Sequence, residues 1–170
     1  MKHKRSEDST VTMTEIVLPN DTNPLGILLG GRLLYWMDIA AAICAQNHAG
    51  HIAVTAAIDS ISFSCPIKIG NVVYITARVA RVFNTSLEIQ VEVFKKETGS
   101  KDKQKTNEAF FTFVALNDKG KPVPIEPVFP KNREEESMYA AALERRKNRE
   151  RNRGSNANSN NGTRKKQSNP

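Results

Sequence analysis

The sequence has little of what the best-known hydrolases use for catalysis. Its two cysteines and three histidines show neither metal-ligand spacing nor the surroundings of a catalytic nucleophile. The GxSxG motif of serine hydrolases is missing, and so are the Walker and GxGxxG loops that hold nucleotide phosphates. These absences exclude the common hydrolase routes, and the spacings predict no metal ion.

Targeting and membrane signals are also missing from the sequence. The apolar run from Leu33 to Ala45 carries Asp38 near its middle and is shorter than the roughly 20 apolar residues that span a bilayer. The N-terminal basic residues are not followed by the apolar segment of a secretory signal, and the cysteines form no disulfide pattern. We therefore predict a cytoplasmic protein without a membrane-spanning segment.

The net charge of +7 suggests a nucleic-acid partner until it is divided along the chain. Residues 131–170 hold 11 of the 25 Lys and Arg but only 5 of the 18 Asp and Glu, which leaves residues 1–130 with 14 against 13. The basic character therefore belongs to a C-terminal extension and not to the domain.

Periodicity predicts one α+β domain. Thr10–Leu18 is typical of a strand, Gly31–His48 of an apolar helix buried on nearly all sides, and four strand patterns with short turns follow, which favours an antiparallel sheet. The predicted divisions are a flexible N-terminus (1–9), a globular domain (10–130), a charged surface helix (131–153) and a disordered basic tail (154–170).

The strand pattern from Ile52 to Ser64 changes its apolar parity. Four apolar side chains would share one face, whereas two later ones fall on the other. We expect a bulge or a strong bend near Asp59. The first set is Ile52, Val54, Ala56 and Ile58, and the second is Ile61 and Phe63.

Asp38 is the candidate catalytic residue, because it is the one carboxylate in the apolar helix pattern. Burial of an unpaired carboxylate costs several kcal/mol, so such a group is either held by a partner or kept for function. Gly30 and Gly31 at the predicted helix start offer unobstructed N–H groups that suit an anion or a polarised carbonyl oxygen.

Motifs spread over residues 12–130 together resemble those of a known protein family. The chain resembles the hot-dog acyl-CoA thioesterases of the cytosolic long-chain acyl-CoA hydrolase type. The resemblance implies a helix wrapped by a five- or six-stranded antiparallel sheet, homodimers joined edge to edge, often as trimers of dimers, and hydrolysis of fatty acyl-CoA without a metal or separate cofactor. The matching motifs are Asn20-Asp21-Thr22-Asn23, Gly26, Gly30-Gly31, Met37-Asp38, Ala40-Ala41-Ala42, Val54-Thr55, Asp59, Phe63, Pro66-Ile67 and Gly70.

The resemblance also implies the roles of single residues. Asp38 matches the essential aspartate, Asn23 the loop asparagine, and Gly30 or Gly31 the helix-start glycine. Because Gly31 and Asp38 lie roughly 10 Å apart along a helix axis, we expect each active site to combine two protomers. Asp38 acts as general base or as nucleophile, and Asn23 orients the water or the carbonyl.

Substrate contacts are less specific in the sequence. The resemblance implies that the turn Asn84-Thr85-Ser86 lies near the pantetheine and phosphates of CoA, with Arg81, Arg78 and Lys68 as further candidates for phosphate binding. The acyl chain is expected between helix and sheet, near Phe63 and Trp36. An ordinary turn, solvated cations and plain core residues explain these features equally well.

Two other functions stay open at this point. A hot-dog hydratase or dehydratase normally requires a catalytic histidine on the central helix or its approach, and none lies between Lys4 and Asn47. A nucleic-acid-associated protein would act through Arg145–Arg153 and Arg164-Lys165-Lys166, although no aromatic residues lie between these cations to stack on bases. We interpret the extension as a solubilising segment and expect no nucleic-acid partner.

Overall fold

The structure, a computed structural model, describes residues 4–59, 61, 63 and 65–163, with the backbone alone for 153–163. Five strands form one antiparallel sheet in the order β1-β3-β4-β5-β2. A long helix, α1, contacts all five strands. These elements confirm the predicted α+β layout, and their bounds are β1 Val11–Ile16, α1 Gly30–Ala49, β2 Ile52–Asp59, β3 Val72–Val82, β4 Ser86–Lys96, β5 Gln104–Leu116 and α2 Arg133–Thr163.

The helix α1 turns one apolar stripe to the sheet. The fully buried positions recur every three or four residues, which is the spacing of a single helix face. Gly50 ends the helix with φ +68°, a left-handed conformation that glycine adopts without strain. The stripe consists of Leu33, Trp36, Met37, Ala40, Ala41, Cys44, Ala45 and His48.

The opposite side of α1 is not covered by the residues that the structure describes, so the prediction of a helix buried on nearly all sides is wrong for this part of one protomer. Tyr35 is 56% exposed and Ile43 is 41% exposed. Asp38 lies on this side and is half-buried. Side chains on this side of α1 are largely apolar, but they do not pack against the core of the same chain, so apolar composition alone does not predict burial within one protomer.

The central strands β3 and β4 follow their predicted alternation. Val73, Ile75, Ala77 and Val79 of β3 are buried and pair with β4 in an antiparallel register. The same face of β4 and β5 completes the core under α1, with Leu87, Ile89, Val91, Val93, Ala109, Phe111, Phe113 and Ala115.

The edge strand β2 differs from its prediction. Its register against β5 shifts between Thr55 and Ala57, so the bulge lies earlier than the expected bend near Asp59. Ile58 pairs with the core residue Phe111 but is itself 38% exposed. Ile52 and Val54, which were expected to share the face of Ile58, lie on the opposite face, because Ala53 between them is buried. Apolar parity alone does not reveal which residue is the extra one in a bulge.

The chain ends are more ordered than their polar composition suggests. A short 3-10 turn forms at Ser6–Ser9, and Ser6 Oγ donates to the carbonyl of Val79 at 2.9 Å. Ser9 Oγ also lies 3.1 Å from Nδ1 of His48, so residues of this segment contact the domain, while the flexibility of residues 1–9 stays a prediction.

The predicted disordered tail begins inside a helix, because α2 continues to Thr163. Asn and Ser cost less than about 1 kcal/mol each in a helix relative to Ala, so a helix already nucleated by residues 133–153 extends through them. Residues 164–170 lie outside the described part of the chain.

Candidate active site

The start of α1 presents two backbone N–H groups without an acceptor. Leu29 precedes the helix and its N–H donates to the carbonyl of Asp21 at 2.9 Å, while the N–H groups of Arg32 and Leu33 donate to the carbonyl of Leu29 at 3.0 Å. Within the described part of the chain, the N–H groups of Gly30 and Gly31 donate to no protein atom. They point from the positive end of the helix dipole.

A cavity of about 480 Å³ opens beside this helix start. Gly30 and Phe63 lie at its wall, and a Cβ atom on Gly30 would stand 3.1 Å from Cζ of Phe63. A side chain at position 30 would therefore require the Phe63 ring to shift by a few tenths of an ångström. The remaining lining residues are Ile27, Leu28, Leu33, Cys65, Pro66, Ile67 and Asn107.

The two glycines have different surroundings. Gly30 lines the cavity, whereas Gly31 lies in an open depression with Leu29, Arg32 and Tyr35. A Cβ atom on Gly31 would meet no atom within 4 Å. The structure thus shows different surroundings for Gly30 and Gly31, whereas the sequence offered either one as the helix-start glycine.

Asn23 shapes the loop before the helix. Its Oδ1 accepts hydrogen bonds from the N–H of Leu25 at 3.0 Å and of Ile27 at 3.2 Å. Because the amide oxygen is engaged in this Asx turn, the NH₂ group is the part of the side chain that can serve a ligand. Asn23 can therefore donate to a carbonyl oxygen or to a water molecule.

Asp38 is held by a residue on the edge strand. Thr55 Oγ1 of β2 donates to Asp38 Oδ1 at 2.8 Å, which orients the carboxylate and leaves its other oxygen available. The sequence analysis includes Thr55 in a family motif but assigns it no role, since only the fold shows that this strand residue lies beside the helix. The expectation that Asp38 is buried is corrected, because it lies on the half-exposed side of α1.

The chain does not bring Asp38 to its own cavity. Gly30 and Asp38 are eight residues apart, which is roughly 12 Å along a helix axis. Asp38 is not among the residues that line the cavity, and neither is Asn23. One protomer therefore presents the two halves of the predicted site in separate places.

The predicted CoA-binding turn connects β3 to β4. The N–H of Phe83 donates to the carbonyl of Ser86 at 2.8 Å, the carbonyl of Asn84 accepts from Ile125, and that of Thr85 accepts from Ala115. The backbone is thus held by neighbouring segments. Asn84 is exposed, whereas Thr85 and Ser86 are half-buried.

The predicted phosphate-binding cations differ in availability. Arg81 lies 4.0 Å above the ring of Tyr139 and donates to the Tyr139 carbonyl at 2.9 Å. Arg78 pairs with Glu92 and Glu134, whereas Lys68 is exposed. Arg81 and Arg78 are therefore occupied on the outer face of the sheet.

Trp36 and His48 belong to the core. Trp36 is 7% exposed and does not line the cavity beside Gly30. His48 is fully buried, with Nδ1 3.1 Å from Ser9 Oγ and Nε2 3.1 Å from the carbonyl of Glu126. Burial lowers the pKa of His48, an effect that the hydrogen bond to Glu126 opposes.

Neither a metal-binding cluster nor a membrane-spanning helix is found among the described residues. No group of three or more His, Cys, Asp or Glu side chains is arranged to hold a metal ion among the residues described. In the same part of the chain, no helix is long and apolar enough to cross a bilayer.

A family model described as "Thioesterase superfamily" matches residues 25–101. The Bacillus subtilis "Uncharacterized acyl-CoA thioester hydrolase YkhA" is 37% identical over 148 residues, which is 85% of this chain and 86% of that protein. Mouse "Acyl-coenzyme A thioesterase 11" is 40% identical over 139 residues. This chain spans only 23% of the length of the mouse protein.

Solved structures agree with these relatives. A hexameric acyl-CoA thioesterase has a TM-score of 0.85 and 35% identity, with 89% of this chain and 97% of that chain covered. The Staphylococcus aureus acyl-CoA hydrolase, solved with butyryl-CoA, CoA and CoA disulfide, has a TM-score of 0.87 and 31% identity, with 96% and 99% covered. Variants of the latter replace an asparagine, an aspartate 15 residues later, or a threonine 17 residues beyond the aspartate by alanine.

One long helix packed on a five-stranded antiparallel sheet, with a glycine-rich helix start beside a cavity, defines the hot-dog class of proteins. The chain belongs to the thioesterase superfamily, among its acyl-CoA thioester hydrolases. The resemblance inferred from the sequence motifs is thereby confirmed.

Proposed function

We propose that the protein hydrolyses fatty acyl-CoA to a free fatty acid and CoA. The observation that carries the proposal is the Asp38 carboxylate, which accepts a hydrogen bond from Thr55 at 2.8 Å. Asp38 lies on the helix whose first N–H groups donate to no acceptor among the described residues. A carboxylate and an N–H donor pair are the groups that metal-free thioester hydrolysis requires.

The intervals between the proposed residues support this assignment. Asp38 follows Asn23 by 15 residues, and Thr55 follows Asp38 by 17. The asparagine, aspartate and threonine replaced in the Staphylococcus aureus hydrolase have the same order and the same intervals. We therefore assign Asn23, Asp38 and Thr55 to one catalytic set, together with Gly30 and Gly31.

In the first step Asp38 takes a proton from a water molecule while the oxygen of that water attacks the thioester carbonyl carbon. Negative charge on the carbonyl oxygen is stabilised by the helix-start N–H groups, and the Asn23 NH₂ group orients the carbonyl or the water. The C–S bond then breaks, and the proton passes from Asp38 to the leaving sulfur. Direct attack by Asp38 is the alternative and passes through an acyl-aspartate.

The site is completed by a second protomer. The exposed side of α1 carries the apolar side chains of Tyr35 and Ile43, and β2, the edge strand whose Thr55 bonds Asp38, exposes Ile52 and Val54. We propose that sheets join at this edge so that Asp38 of one protomer approaches Gly30 and Asn23 of its partner. A trimer of such dimers is proposed by analogy with the hexameric relative.

Other properties of the protein remain proposals. The Asn84-Thr85-Ser86 turn contacts the CoA part of the substrate, and Phe63 contacts the acyl part, since it lines the cavity. No cofactor is required apart from the CoA of the substrate. We retain a cytoplasmic location as a prediction.

The test is Asp38→Asn, assayed by thiol release from acyl-CoA substrates of increasing chain length. We expect the rate to fall by roughly 100-fold or more, because the base is lost while the shape is kept. Thr55→Val should cause a smaller loss, since the carboxylate remains but is no longer oriented. A folded, dimeric Asp38→Asn protein with the wild-type rate would contradict the assignment.

The two alternative functions find less support. His48, the histidine nearest to the helix interior, is buried and bonded on both ring nitrogens, so it offers no acid or base to a hydratase. For nucleic-acid binding, Arg145 and Arg149 of α2 are paired with Glu88 beneath the helix. Salt-sensitive RNA binding by the whole chain, without acyl-CoA hydrolysis, would favour the latter alternative.

A further inference from the structure

The cavity beside Gly30 has a largely apolar wall that contains an amide side chain. Among the described residues that line it, Asn107 is the one with a carboxamide, and Cys65 contributes a thiol. The other lining residues are aliphatic, aromatic, proline or glycine. Ligand cavities are mostly apolar, with a few polar groups that decide which ligand is accepted. Asn107, which is 3% exposed, is the candidate for such a group in this cavity.

The sheet directs Asn107 towards α1. Asn107 precedes Ala109 and Phe111 on β5, and both of these residues are fully buried in the core. Alternate residues of a strand share a face, so Asn107 lies on the core face as well. Its partner on β4 is Val93, another buried core residue. The register between the two strands shifts at Thr106, and bulges of this kind re-aim side chains next to functional sites.

Other parts of the cavity wall are held by hydrogen bonds within the chain. Lys95 Nζ donates to the carbonyl of Pro66 at 3.0 Å, and the N–H of Leu28 donates to the carbonyl of Ile67 at 2.8 Å. Pro66, Leu28 and Ile67 all line the cavity. Because these segments are positioned without a substrate, the cavity can select between acyl chains at little cost in ordering.

An amide at this position costs free energy unless it is hydrogen-bonded, whereas the next positions on the same face of β5 are apolar. Asn107 has an interaction partner within the protein, but a carboxamide offers two N–H donors and an acceptor oxygen. A saturated acyl chain would exclude water from Asn107 and give it no hydrogen bond. A chain with a hydroxyl or keto oxygen would supply one. A site that hydrogen-bonds such an oxygen discriminates against the analogue without it.

We propose that Asn107 determines acyl specificity, and that the cavity favours acyl chains with a hydroxyl or keto oxygen over saturated chains of the same length. The Asn107 NH₂ group donates to that oxygen. The inference rests on the proposed function for the reaction itself. It adds the class of acyl group, which the proposed catalytic residues do not determine.

The test measures thiol release from hexanoyl-CoA, 3-hydroxyhexanoyl-CoA and 6-hydroxyhexanoyl-CoA by the full chain. We expect the wild type to hydrolyse at least one hydroxylated substrate with a kcat/KM about tenfold above that of hexanoyl-CoA, the effect of one buried hydrogen bond. The two hydroxyl positions report how far Asn107 lies from the thioester. Asn107→Leu, which has a similar volume, should abolish the preference, mainly through KM.

Thr106→Val is the matched control. Thr106 is 1% exposed, its Oγ1 donates to the carbonyl of Val93 at 3.3 Å, and it does not line the cavity. This variant therefore loses a buried polar group next to Asn107, and it should lower the melting temperature without changing the substrate preference. Asn107→Ser keeps a hydrogen-bonding group and should retain part of the preference.

Three results would overturn the inference: equal kcat/KM values for all three substrates in the wild type, an unchanged preference in Asn107→Leu, or the same loss of preference in Thr106→Val. The wild-type comparison decides even if a variant does not fold. Hydrolysis of hexanoyl-CoA without a preference removes this inference alone and leaves the proposed function in place.

If the wild type hydrolyses none of the three compounds, the proposed function fails. The same compounds are then not consumed, so calorimetric titration decides the inference about Asn107. Tighter binding of a hydroxylated acyl-CoA by the wild type, lost in Asn107→Leu, supports it, and equal binding of all three contradicts it.

Discussion

Gly30 is the residue whose lack of a side chain matters most for the wall of the cavity. A Cβ atom there would stand 3.1 Å from the Phe63 ring, a tight contact, whereas a Cβ atom on Gly31 would meet no atom within 4 Å. We predict that Gly30→Ala lowers kcat/KM by roughly tenfold or more, because the ring or the helix start must shift. Gly31→Ala should cost less. Thiol-release kinetics measure both, and thermal melts should show neither protein unfolded, since Ala favours helices over Gly.

An opposite order of the two variants would mean that the space around Gly31, and not the contact between Gly30 and Phe63, limits the reaction. The N–H group survives in both variants, so the comparison reports on the shape of the cavity wall and not on the loss of a donor.

His48 makes folding stability depend on pH. Burial lowers its pKa below the usual value of 6.5, so the unfolded chain binds a proton more readily than the folded one. The contribution of neutral His48 to stability is complete above pH 6.5 and is lost as the pH falls through 6.5 towards the lower folded pKa. We expect the melting temperature to decrease over this interval.

The control for this prediction is His48→Gln, which removes the titrating ring. It should be less stable than the wild type at pH 7.5, because the contacts to Ser9 and Glu126 are altered. Its melting temperature should nevertheless change less between pH 7 and pH 5.5. If the melting temperatures of the two proteins changed equally with pH, His48 would not be the source of the pH dependence.

Among the secondary-structure elements, α2 differs most from its prediction as a solubilising segment. Arg145 lies 3.6 Å above the Phe110 ring and pairs at 2.6 Å with Glu88, a fully buried carboxylate. The cations that suggested nucleic-acid binding partly serve to hold this helix on the sheet. The helix is therefore a cover for the outer face and not a detachable solubilising segment.

We predict that Arg145→Ala lowers the free energy of unfolding by on the order of 3 kcal/mol, because Glu88 keeps its burial and loses its closest partner. Lys147→Ala, which removes only an exposed pair with Glu144, should cost less than about 1 kcal/mol. Urea unfolding of both variants measures the difference. Equal stabilities would mean that Arg149 alone compensates Glu88.

At the scale of the whole molecule, the proposed site requires self-association for activity. The sheet has an unpaired edge at β2, where Ile52 is 60% exposed and Val54 is 43% exposed. We predict that replacing both by Lys yields a folded monomer with little hydrolysis, since charges on a sheet edge prevent pairing and the two halves of the site stay apart. Light scattering after size-exclusion chromatography, with thiol release, measures both properties.

Thr14→Lys is the matched control, because Thr14 is exposed on β1 at the opposite edge of the sheet. This variant should keep the assembly and the activity of the β2-edge dimer. A monomeric double variant with the wild-type rate would show that one protomer completes its own site.

The amino-acid order alone was sufficient for the fold class, the helix with its glycine cap, and the core strands β3 and β4. These features repeat with the period of one helix face or one strand face, and burial of that face is the dominant stabilising term. The motifs around Asn23, Gly30 and Asp38 likewise indicated the family, because their order and spacing are read directly along the chain.

Tertiary structure decided the rest. Two of these features are contacts between residues distant in the chain: the hydrogen bond from Thr55 to Asp38 and the ion pair of Arg145 with Glu88. The third is the bulge at Ala56, which shifts the pairing of β2 with β5 by one residue. No local pattern encodes such pairings, because their energy arises only when the sheet and both helices are packed together. The same packing leaves Asp38 on the open side of α1, away from the cavity beside Gly30.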